Sequence, residues 1–137
     1  MSMTKTSLLL AGLLAASTGF AQTTAPLTKE EAKAAHDRIE ATAKTEKKAC
    51  DSLSGNTKDV CEAEAKAKEK VAKAELKAQQ TGEAKDRLKA DETKAEAIYE
   101  VAKEKCEDQT GDAVAACKRE AKTAEQAAVA QAKKAKY

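Results

Sequence analysis

The residues best able to do covalent chemistry in this chain are four cysteines, and they fall into two copies of one pattern. Cys50-x4-Gly55-x5-Cys61 returns 56 residues later as Cys106-x4-Gly111-x5-Cys117. Neither copy contains Cys-x-x-Cys or Cys-x-x-Cys-His, the spacings of dithiol redox centres and haem attachment, and a zinc site would need all four thiols reduced and gathered. The chemistry left to them is disulfide formation, for which four cysteines allow three connectivities. Local pairing, Cys50 with Cys61 and Cys106 with Cys117, is favoured because Ser54-Gly55-Asn56 and Gly111-Asp112 have turn composition, so that each bridge clips a helical hairpin at its bend. The rival pairs Cys50 with Cys117 and Cys61 with Cys106. Cysteines 11 apart on an unbroken helix share a face, and two such helices lying antiparallel would be stapled twice.

Other reactive types lack the company that chemistry needs. His36 is the single histidine, set between Ala35 and Asp37 on a Lys/Glu-rich segment, and reads as a solvated surface residue. Carboxylates abound, yet nothing predicts a cleft that would raise the pKa of one for general acid work. Ser52, Ser54 and Thr57 have no neighbouring base and read as turn and cap residues. The sequence therefore predicts no catalytic, cofactor-binding or metal-binding residue, no cofactor, and a protein that is not an enzyme. The residues expected to matter are the four cysteines and the turn residues Gly55, Asn56, Gly82, Gly111 and Asp112.

The elements that must position them follow a leader. Lys5 precedes an apolar run, Leu8 to Ala16, and then Gly19-Phe20-Ala21, which reads as a secretory signal peptide over 1–21, cleaved before Gln22. The run is too short for a transmembrane helix, which needs roughly 20 residues, and no second run follows, so no membrane insertion is expected after cleavage. The expected location is the periplasm, or outside the cell. Without Lys5 the chain has 24 basic residues against 23 acidic ones, interleaved throughout. That balance gives no basic face for nucleic acid.

Large apolar residues are scarce beyond the leader, which also holds the chain's one phenylalanine, and the sequence contains no tryptophan. Spacing replaces bulk. Ala32, Ala35, Ile39, Ala43, Glu46, Cys50 and Leu53 step by three or four, as do Val60, Ala63, Ala67, Val71, Ala74 and Ala78. Two further stripes follow, Ala84, Leu88, Asp91, Ala95, Ile98, Ala102 and Cys106, then Val114, Cys117, Ala121, Ala124, Ala128, Ala132 and Ala135. These read as antiparallel coiled-coil seams rich in alanine, with Ile98 and Tyr99 as anchors. Helices are predicted at about 28–53, 57–80, 83–109 and 113–136, with capping by Thr28 and Glu31, by Asn56 and Asp59, and by Asp112. Glu40 with Lys44, Glu62 with Lys66, Glu64 with Lys68, Glu69 with Lys73 and Glu83 with Arg87 place acid four residues before base.

The predicted fold is all-α: a short linker at 22–27, a first disulfide-clipped hairpin over 28–81 and a second over 82–137. Whether the helix runs on through Gly82 is open, since one helical glycine costs only about 1 kcal/mol. Narrow stripes favour an elongated molecule over the alternative, a compact up-and-down four-helix bundle.

The segment Lys47-Lys48-Ala49-Cys50 through Cys61-Glu62-Ala63-Glu64-Ala65-Lys66 resembles a motif of small exported proteobacterial proteins of unknown function, rich in Ala, Lys and Glu and carrying paired Cys-x4-Gly-x5-Cys repeats. The resemblance covers both cysteine pairs, and in composition the chain is similar to the helix of TolA. It implies an exported helical protein and names no activity. The expected function is that of a structural, spacer or stress-protective element of the envelope. The alternative is a periplasmic binding module or holdase-type chaperone with a small apolar groove formed around Leu76, Leu88, Ile98 and Val101. Partners would be an unknown envelope protein or a second copy of the chain.

Overall fold

The computed structural model of the chain describes residues 26–135; the expected leader at 1–21 and residues 22–25 of the linker lie outside them. Four helices follow one another: α1 (Lys29–Ala49), α2 (Gly55–Thr81), α3 (Ala84–Cys106) and α4 (Asp112–Lys134), with a 3-10 turn at Cys50–Ser52 and no strand among the described residues. Composition explains the helices, because alanine, lysine, glutamate and glutamine lose little freedom in this conformation. Their starts are set differently. Thr28 and Glu31 form the expected capping box, the Thr28 hydroxyl accepting from the Glu31 N–H at 3.2 Å and the Glu31 carboxylate accepting from the Thr28 N–H at 2.9 Å. Ser54 and Gly111, not Asn56 and Asp112, occupy the cap positions of α2 and α4, and neither cap uses a side-chain hydrogen bond.

Gly82 ends α2. Its φ of +65° lies in the left-handed region, where a side chain would be strained, and its N–H closes the helix on the Ala78 carbonyl at 2.9 Å. A long middle helix through this point does not form, and α3 folds back along α2. Beside the turn, the Thr81 hydroxyl accepts from the Glu83 N–H at 3.2 Å and donates to the buried Asp86 carboxylate at 2.6 Å, holding the first turn of α3 against the last of α2.

Each helix packs antiparallel on its sequence neighbours, and cross-helix ion pairs mark the register. Glu40 meets Lys73 while Glu46 meets Lys68; Glu64 meets Lys105 while Asp86 faces Lys77; Glu92 meets Lys133 while Glu107 meets Lys118. Among the described residues α1 touches only α2, and α4 only α3, so the four helices form an open row rather than a closed bundle. The most extensive interface joins α2 to α3, across the boundary expected at 81/82.

The interior is built from small side chains. Among the described residues eleven apolar ones are buried: eight are alanines, two are Cys50 and Cys106, and Leu76 is the single bulky one. Alanine lets helix axes approach closely, and dispersion between backbones then offsets part of the small area removed from water. The first expected stripe holds, with Ala32, Ala43 and Cys50 buried and Leu53 displaced to 38 % exposure in the turn. On α2 the expected stripe faces α3, where Ala63 and Ala67 border Ala97. A second stripe containing Ala72 and Leu76 borders Ala35 and Ile39 of α1. Two departures stand out: Ile98 is 61 % exposed instead of anchoring a seam, and α4 turns Glu125 and Val129 inward where Ala124 and Ala128 were expected.

Candidate functional site

Both bends between disulfide-bonded cysteines lie at one end of the row, because α1 and α3 run toward it and α2 and α4 away from it. Cys50 bonds Cys61 and Cys106 bonds Cys117, each with Cα atoms 5.7 Å apart, so the local pairing is the one the protein adopts and the cross-pairing is overturned. That distance falls within the normal disulfide range. Gly55 and Gly111 take φ of +58° and +59°, so each bend places a glycine at positive φ in the same position of the repeat. In each bridge the first cysteine is fully buried and the second is half-buried.

Asn56 has a role that its sequence position did not reveal. Its side-chain amide Nδ2 donates to the Glu104 carbonyl at 3.0 Å, tying the first clipped bend to the last turn of α3 and hence to the second bend. Glu64 and Lys105, 2.8 Å apart, add an ion pair nearby. Asp112 lies exposed in the first turn of α4, where its charge suits the helix dipole.

Across α1 and α2 an ion-pair chain replaces bulky packing. Glu69 accepts from Lys47 at 2.6 Å and from Lys73 at 2.9 Å, and Lys73 also reaches Glu40 at 3.1 Å. The hydrogen bond from Lys47, followed by that from Lys73, lowers the Glu69 pKa to about 2. The same bonds to Glu69 and Glu40 raise that of Lys73. Of the predicted in-helix pairs, Glu62 with Lys66 and Glu69 with Lys73 form. Glu40, Glu64 and Glu83 turn instead to Lys73, Lys105 and Lys85. Between α3 and α4 the half-buried Tyr99 ring carries the Lys122 ammonium 4.7 Å and the Lys103 ammonium 5.5 Å from its centroid.

Two grooves run along the α2/α3 seam. One, of about 520 Å³, has an alanine floor under Glu62, Lys66, Lys70, Glu100 and Glu104, and so presents both signs of charge. The other, of about 340 Å³, is lined by Val71, Ala72, Ala97 and Ile98 with Lys68, Glu75 and Lys94 at its rim. At 100° per residue the two sets of α2 residues lie on opposite sides of the helix, so one face of the seam is charged and the other apolar. The groove that the sequence placed around Leu76, Leu88, Ile98 and Val101 is thus centred on Val71 and Ile98. Leu76 points toward α1.

His36 is exposed, with Nε2 3.6 Å from Glu40 Oε1. Ser52 donates to the Ala49 carbonyl at 3.0 Å, a turn role. Among the described residues no three His, Cys, Asp or Glu side chains are placed to hold a metal ion, and no helix is long and apolar enough to cross a membrane. No family model matches the chain, and comparison with curated proteins and with solved structures gives no match.

Proposed function

We propose that this chain is a non-enzymatic helical protein of the periplasm that serves the envelope as a structural or stress-protective element. One observation carries the reading: the interior is alanine and disulfide, so the helices spend almost no bulky apolar surface on packing and clothe themselves in paired charges of both signs. Such a surface stays hydrated and keeps the protein soluble at high concentration, which is what shielding or spacing other molecules requires. Two disulfides suit an oxidising compartment, in keeping with the leader read at 1–21.

The test is protection of a labile enzyme through drying or heating, with the oxidised chain added over a range of ratios. Protection that rises with mass excess, without a complex in gel filtration, is the expected result. Protection saturating near one chain per client would replace the shield with a binding module. Protection no better than that of an equal mass of a globular control would overturn the reading.

A further inference from the structure

We propose that the apolar groove between α2 and α3 is the docking face for a second copy of this chain, which makes the protein a two-fold homodimer. The anomaly that leads there is Ile98. Where the described residues bury one bulky side chain, a large apolar residue stands 61 % exposed above a groove floored by Val71, Ala72 and Ala97. Isolated exposed apolar residues are ordinary, but this one sits on a concave apolar seam.

The register of the hairpin says what covers it. Two ion pairs bracket the register of α2 on α3, Glu64 with Lys105 near the bridges and Lys77 with Asp86 near Gly82. At the mean of the two pairs Val71 lies within about one turn of the height of Ile98, and Glu75 within about one turn of that of Lys94. A two-fold axis laid along the groove, parallel to the helices, exchanges α2 for α3 across the contact without changing height. It brings Ile98 within about one turn of the partner's Val71, and Lys94 within side-chain reach of the partner's Glu75, each contact occurring twice. The groove is therefore complementary to itself in charge, with an apolar centre on both sides. Glu75 and Lys94 are both exposed, and neither has an ion-pair partner among the described residues. The opposite face of the seam carries charges of both signs over its groove and offers no comparable apolar knob. This inference does not rest on the protective role proposed above.

Sedimentation equilibrium of the oxidised chain, with residues 1–21 removed, tests it. The expected result is a reversible monomer–dimer equilibrium. Ile98→Lys weakens it about tenfold or more, as loss of a central apolar anchor does. Glu75→Lys or Lys94→Glu alone also weakens it, and the double exchange restores it, a recovery that damage to the monomer would not produce. Circular dichroism of each variant checks that the monomer remains helical. A monomer at the highest soluble concentration overturns the proposal. So does a dimer indifferent to Ile98→Lys, or a charge exchange without recovery. An Ile98→Lys variant of unchanged mass that loses protection of a client would assign the groove to that client and likewise end the proposal.

Discussion

Removing one bridge at a time measures how far this fold depends on its covalent clips. Cys50→Ser with Cys61→Ser opens a ring whose ends are 11 residues apart in sequence, and Cys106→Ser with Cys117→Ser opens its counterpart. In the chain-entropy account a ring of this size is worth about 3 kcal/mol. The interior offers little to set against that loss, since among the described residues Leu76 is the one bulky side chain buried. In a domain of this length about 3 kcal/mol corresponds to a fall of about 12 °C in Tm. The two pairs should differ in where the damage appears. α1 is held to the rest of the molecule by α2 alone, across the least extensive of the three helix interfaces, and α4 by α3 alone across a larger one. Amide exchange in the first variant should therefore quicken across α1 and leave α2 and α3 protected, and in the second it should quicken across α4. The assays are melting followed at 222 nm and hydrogen exchange resolved by peptide. A first variant that melts within about 3 °C of the parent, with α1 still protected, would refute the argument that alanine packing needs the bridge.

Two further predictions follow from the site. Asn56→Ala should cost about 1 kcal/mol in urea denaturation by deleting the bond to the Glu104 carbonyl, and Asn56→Asp should cost as much because a carboxylate cannot donate it. Acid should weaken the α1/α2 seam: Glu69 is shifted from an ordinary value of 4.5 to about 2, so its ionised form stabilises the fold above about pH 4.5 and that contribution drains away as pH falls toward 2. The loss should amount to roughly 1 to 2 kcal/mol after solvent screening, and Glu69→Gln should flatten the pH dependence across that window.

Features set by neighbours in sequence were readable before the fold was known. The Thr28–Glu31 box and the pairing of each cysteine with its local partner depend on a few consecutive residues, and cap and turn composition announce them, whereas the reversal at Gly82 stayed open because one glycine is also tolerated inside a helix. What could not be read depends on which helix lies next to which. A middle helix in an open row must show two faces, yet periodicity drew attention to one stripe on α2 and passed over that containing Ala72 and Leu76. On α4 an alanine stands at almost every candidate position, so the shift from Ala124 and Ala128 to Glu125 and Val129 left no trace in hydrophobic pattern. Asn56 looked like a cap because its partner, the Glu104 carbonyl, lies 48 residues away. The exposure of Ile98 likewise follows from how α3 is rotated against α2, which spacing alone does not fix.

The placement of both clipped bends at one pole has a mechanical consequence. The first residues of α1 and the last of α4 lie at the opposite pole, so tension applied through them peels the outer helices from their free ends toward the bridges. There the sulfur–sulfur bonds act as stops. Residues 51–60 and 107–116 lie inside the rings and never bear the load, leaving the stretched molecule about 70 Å shorter than its reduced counterpart. Pulled from that pole, the oxidised protein behaves as a strap with a fixed maximum reach, and the redox state of its surroundings sets that reach.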